Sequence, residues 1–153
     1  VKGVIMMAPS PRRPALSVVA RLLFTHPILM IRGQFMGDNH ALRRVFIGSF
    51  FEPDMPTADR QAAETMIGYE SRQAMAELFG RPILTPDQIP DIPFLVIGGD
   101  DDWSIPKKKL FPVAARHNAP LIMVPGPHDL MFGSKWELMA QAMLDWLDQQ
   151  FPT

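Results

Sequence analysis

Two short apolar runs, Phe94-Leu95-Val96-Ile97 and Leu121-Ile122-Met123-Val124, constrain the fold of this chain more than any other feature. Each has the length and composition of a strand. The connection from Gly98 to Pro120 suits a crossover, so the two strands are expected to lie parallel and adjacent. In open parallel sheets the chemistry gathers where strands end at their carboxyl edge. The first run leads into Gly99-Asp100-Asp101-Asp102-Trp103-Ser104-Ile105-Pro106 and the second into Pro125-Gly126-Pro127-His128. An acid, Asp102, and a base, His128, are therefore expected to emerge side by side.

A third run, residues 1–8 (Val-Lys-Gly-Val-Ile-Met-Met-Ala), is near-continuously apolar, is stopped by Pro9-Ser10-Pro11, and reads as a further buried strand. Because the chain opens on Val1 inside such a run, its natural start is expected upstream. With 153 residues, 47% of them hydrophobic and 20% charged, the chain has the size of one ordinary domain and can bury a core. A formal charge of −1 gives no long-range attraction to nucleic acid or anionic membranes. The basic runs Arg12-Arg13, Arg43-Arg44 and Lys107-Lys108-Lys109 lack interleaved aromatics and read as solvated faces. Having no Cys excludes disulfides, thiol chemistry and thiolate metal sites. No apolar run approaches the ~20 residues of a membrane span, and residues 4–8 are too short for a signal-peptide core. The expectation is a soluble, cytoplasmic protein.

Between the strands the character of the sequence changes. Pro14 should begin a helix through Leu16, Val19, Ala20 and Leu23 that closes at Thr25-His26-Pro27, followed by a short apolar patch, Ile28 to Ile31. Asp38 or Asn39 can cap a second helix that Gly48 ends, and Thr57 a third over residues 58–67. A fourth is expected from Ser71, closed by Gly80. The prolines at 82, 86, 90 and 93 make a stiff connector back to the sheet. The segment Pro106 to Asn118 should hold the crossover helix, which Pro112 confines mostly to residues 112–117 or kinks. Ser134 with Glu137 forms a capping box for a helix over residues 134–150, with Trp136, Met139, Ala140, Met143 and Leu147 at helical spacing.

A carboxylate that accepts the proton on one imidazole nitrogen fixes the tautomer, so that the other nitrogen can take a proton from a nucleophile and hand it to a leaving group. Asp102 sits just beyond the tight strand exit at Gly99, and Gly126 plays the same part for His128. Three consecutive acids cannot all face one partner, so Asp100 and Asp101 compete with Asp102 for that role and otherwise read as loop carboxylates. Asp129 reads as a helix-start or turn residue, and Trp103 as packing either near the site entrance or in the core. His26 and His40 have no second ligand at metal spacing, and His117 reads as a helix end. Neither a metal nor a cofactor is implied.

Gly99-x-x-Asp102-x-x-x-Pro106 after one strand, with Pro125-Gly126-Pro127-His128-Asp129-Leu130-Met131 after the next, resembles the acid and histidine motifs of the α/β-hydrolase fold. The resemblance runs along essentially the whole chain and implies the C-terminal part of such a fold. Three parallel strands with flanking helices, residues 1–9 and 89–153, would form the core, and residues 10–88 an inserted helical lid. Tyr69-Glu70-Ser71-Arg72 also resembles lid sequence of this superfamily. The resemblance implies that Asp102 is the triad acid and His128 the general base, in an esterase-like serine hydrolase acting on a small apolar ester or related acyl bond. The Met- and Phe-rich lid reads first as helix packing and second as an adaptable apolar pocket.

One part of that pattern is missing. The fold places its serine on a Gly-x-Ser-x-Gly elbow ahead of the acid, and Ser10, Ser17, Ser49, Ser71, Ser104 and Ser134 all lack that setting. The elbow is expected upstream of Val1, in an N-terminal half supplied by the same or a separate chain, and this chain alone is expected to be inactive. An aspartate nucleophile, as in epoxide hydrolases or haloalkane dehalogenases, is the alternative on the same fold. A non-catalytic binding or assembly chain is the alternative of another class.

Overall fold

The computed structural model describes residues 1–10, 15–35, 39–66 and 90–152. The chain divides into two compact units, Val1–Pro11 with Pro82–Thr153, and Arg12–Arg81. The helix expected from Ser71 to Gly80, the Tyr69-Glu70-Ser71-Arg72 stretch and the proline connector as far as residue 89 lie outside the described residues.

The first unit is built on a parallel sheet. Strand β1 covers Val4–Met7, β2 Phe94–Gly99 and β3 Leu121–Val124, in the spatial order β1-β2-β3. Both pairings are parallel, with Val4 opposite Phe94 and Val96 opposite Leu121. The central strand is buried along its whole length, which is why its sequence is continuously apolar rather than alternating. Leu95 and Ile97 face one core layer with Val124, Leu130, Met139 and Trp146; Val96 faces the other with Ile105, Leu110 and Ala114. Helix α5, Lys107–Arg116, brings Leu110 and Ala114 to the second layer, and the C-terminal helix α6, Trp136–Gln150, brings Met139 and Trp146 to the first. With one helix on each face the sheet is closed as α/β architecture requires.

Three sequence expectations for this unit need correction. Pro112 does not confine the crossover helix: α5 starts at Lys107 and carries Pro112 inside it. Pro112 is exposed, so the carbonyl that loses its partner can be solvated, and burial of Leu110 and Ala114 on the opposite side outweighs the lost bond. Helix α6 begins one residue later than the Ser134 capping box places it: its N-cap is Lys135, which makes no side-chain cap bond. The apolar face of α6 is also rotated from the expected stripe: Met139, Ala142, Met143 and Trp146 pack on the sheet, whereas Trp136 and Leu147 are exposed.

The second unit is helical: α1 Ala15–Thr25, α2 Pro27–Phe35, α3 Asn39–Phe50 and α4 Thr57–Met66. Pro27 opens α2 as its first residue, a position where its missing N–H costs nothing, so the patch expected at Ile28 to Ile31 is helical. Gly48 does not end α3, which runs on to Phe50; the ladder continues through Phe51 N–H to the Ile47 carbonyl at 3.3 Å. Ile47 and Phe51 are both buried in a cluster with Met55 and Ala63, and that packing overrides the weak helix propensity of glycine. The Arg60 guanidinium donates to the carbonyls of Glu52 and Pro53 at 3.3 and 3.2 Å, fixing the turn between α3 and α4.

Candidate active site

The carboxyl ends of β2 and β3 are stitched together by backbone. Asp100 N–H donates to the Val124 carbonyl at 2.9 Å and Asp101 N–H to the Gly126 carbonyl at 3.0 Å. This approach requires glycine at position 99, where a Cβ would collide with the carbonyl oxygens of Gly126 and Pro127. Gly126 itself has φ +150°, a conformation that L side chains rarely adopt, and this lets the chain turn toward β2 before His128.

Asp102 and His128 meet at this edge. Asp102 Oδ2 lies 2.8 Å from His128 Nδ1; the Asp102 side chain is 0% exposed and that of His128 is 23% exposed. The second carboxylate oxygen, Oδ1, accepts the backbone N–H of Ser104 at 2.7 Å, the backbone N–H of Ile105 at 2.8 Å and the Ser104 hydroxyl at 2.7 Å. The carboxylate is therefore fixed in rotation by the loop that leads into α5, with Oδ2 left to face the imidazole. Burial alone would raise the Asp102 pKa. The bonds from His128, the Ile105 backbone and Ser104, with the imidazole charge, outweigh it and hold the carboxyl below its ordinary value. An ionised acceptor at Nδ1 assigns the proton of neutral His128 to Nδ1 and the lone pair to Nε2.

Within the acidic run, Asp100 and Asp101 are exposed and only Asp102 is buried. Asp129 is half-buried and precedes the short 3-10 turn Leu130–Phe132. Burial raises its pKa, the Asp102 charge adds to the rise, and the His128 charge opposes it. His117 ends α5 and stacks on Phe94 with ring centroids 4.7 Å apart, at the opposite edge of the sheet from His128. Trp103 is half-buried. His26 lies at the junction of α1 and α2, and the side chain of His40 is outside the description. Among the described residues no three His, Asp or Glu groups are disposed to hold a metal ion, and no described helix is long and apolar enough to cross a membrane.

Ser104 is the contact that sequence reasoning missed. Its hydroxyl touches both partners, with Oγ 3.0 Å from His128 Nδ1 as well as 2.7 Å from Asp102 Oδ1. The signal available was the Asp-x-Ser spacing, at which a carboxylate commonly captures the N–H or hydroxyl two residues on.

No protein-family model matches the chain, and no curated protein sequence does. Solved structures do. The chain is similar to an esterase from Thermogutta terrifontis at 17% identity and TM-score 0.67, over 97% of this chain and 56% of that one. It is similar to an esterase from Exiguobacterium antarcticum at 15% identity and TM-score 0.69, over 97% and 57%. It is also similar to an enol-lactonase from Burkholderia xenovorans at 14% identity and TM-score 0.65, over 96% and 56%. The chain thus has the C-terminal part of an α/β-hydrolase fold and spans little more than half the length of these neighbours.

Proposed function

We propose that this chain supplies the acid and the general base of a serine hydrolase that cleaves a carboxylic ester or related acyl bond of a small apolar substrate. The observation that carries the reading is the 2.8 Å bond between fully buried Asp102 Oδ2 and His128 Nδ1 at the carboxyl edge of the sheet. Its support from comparison is that neighbours of this fold are esterases and an enol-lactonase. The nucleophile is a serine upstream of Val1, on an elbow whose strand would pair with the side of β1 that faces away from β2. Residues 10–88 act as the lid.

In this mechanism His128 Nε2 takes the hydroxyl proton as the serine oxygen bonds to the acyl carbon, and Asp102 balances the imidazolium. Nε2–H then protonates the departing alcohol oxygen as the acyl–oxygen bond breaks. A water, deprotonated in turn by Nε2, attacks the acyl-enzyme, releases the acid and returns the serine to its starting state. Hydrolysis of p-nitrophenyl esters by the full-length protein tests this. Turnover that falls to background in His128→Ala is the expected result. Absence of ester turnover, with 18O from solvent water entering an aspartate carboxyl during turnover of an epoxide or haloalkane, would replace the serine by an aspartate nucleophile.

A further inference from the structure

A serine hydroxyl has one proton and two lone pairs, so the two contacts of Ser104 Oγ cannot both be donations. Nδ1 of neutral His128 already carries the proton that faces ionised Asp102, so it cannot accept from Ser104. The Ser104 hydroxyl therefore donates to Asp102 Oδ1, and its oxygen takes a share of the Nδ1–H in a three-centre bond with Oδ2. The hydroxyl dipole consequently points its negative end at the imidazole and its positive end at the carboxylate. It is buried, and in a low-dielectric setting an oriented dipole acts with little screening.

We propose that Ser104 is a positioning residue of the Asp102–His128 pair: one oriented hydroxyl stabilises both charges of the pair while the base holds its proton, and locks the imidazole to the carboxylate plane. This deepens the hydrolase reading and rests on it for the use made of the base. The same contacts exclude Ser104 as the nucleophile, because its oxygen meets the protonated nitrogen and not the lone pair on Nε2. The Ser104 backbone N–H also donates to Oδ1, and a Ser104→Ala variant keeps that bond. The substitution isolates the hydroxyl.

The test is NMR titration of 15N-histidine-labelled full-length protein, with whatever segment its gene encodes upstream of Val1, and with the His128 signal assigned through His128→Gln. Among the described residues the Asp102 and Asp129 carboxylates act on His128, and both are unchanged in the variants. Ser104→Ala is expected to lower the His128 titration midpoint by about half a pH unit, the equivalent of one modest hydrogen bond. Ser104→Thr, which keeps a hydroxyl, is expected to restore it. Should the alanine variant fail to fold, Ser104→Cys is expected to shift the midpoint in the same direction by less, since a thiol is a weak donor. An unmoved midpoint in Ser104→Ala, or in Ser104→Cys where that variant stands in, would overturn the proposal, as would a threonine variant that behaves like alanine. The titration needs no turnover. A protein that shows the shift and hydrolyses no ester contradicts the hydrolase reading alone, and one that hydrolyses without the shift contradicts the Ser104 role alone.

Discussion

The pair of side chains at the carboxyl edge turns on a single carboxylate oxygen. With Oδ1 occupied by three donors, replacing Oδ2 of Asp102 by an amide would present a donor to Nδ1–H and drive the imidazole to the other tautomer. Asp102→Asn is therefore expected to cut kcat by roughly 10⁴, the scale seen when a triad histidine is left in the wrong tautomer. Asp100→Asn and Asp101→Asn, at exposed positions, should leave kcat within about twofold; steady-state kinetics of the three variants sorts them. Asp129 offers a second check, on stability. Folding raises its pKa, so the native state binds its proton more tightly than the unfolded chain. Stability is then lost as pH rises from the ordinary carboxyl range through the folded value. Asp129→Asn is expected to raise Tm at pH 7 and leave it unchanged at pH 3, where the wild-type group is protonated in both states. Asp102 has the opposite sign: its lowered pKa adds stability above the ordinary carboxyl range that disappears as pH falls through the folded value. Asp102 and His128 were legible as partners because each follows a strand and a glycine exit. Ser104 was not, because a serine contact two residues from an acid is decided by loop geometry that spacing alone does not specify.

At the level of elements, the parallel sheet was legible since strands buried on both faces are written as unbroken apolar runs. Helix limits were less so where packing competes with local signals. Gly48 and Pro112 both read as breakers, yet each sits inside a helix whose neighbours Ile47 and Phe51, or Leu110 and Ala114, are buried. The start of α6 falls one residue beyond the Ser134 signal for a similar reason, as Met139 and Trp146 are buried against the sheet. Two expectations follow from this balance. Leu110→Ala, at a fully buried position, should cost about 2–5 kcal/mol. Pro112→Ala, at an exposed position, should add about 1–3 kcal/mol by restoring the missing backbone bond. Chemical denaturation of the two variants reads both, and a destabilised Pro112→Ala would show that α5 depends on the proline.

For the molecule as a whole, the telling feature is the side of β1 that faces away from β2. Among the described residues β1 pairs with β2 alone, and Met7 on it is exposed. An open apolar edge of this kind invites association. Residues 1–153 expressed alone are expected to aggregate or to melt without cooperativity; a soluble, cooperatively melting monomer would show that no further strand is needed. The measurement that bears most directly on the proposed triad is covalent labelling of the full-length protein by a fluorophosphonate, with the modified residue located by peptide mass spectrometry. A single labelled serine upstream of Val1, with the rate reduced at least about 10³-fold in His128→Ala, is the expected result. No labelling, or labelling at an unchanged rate in His128→Ala, would contradict the assignment of His128 as the general base of a serine hydrolase.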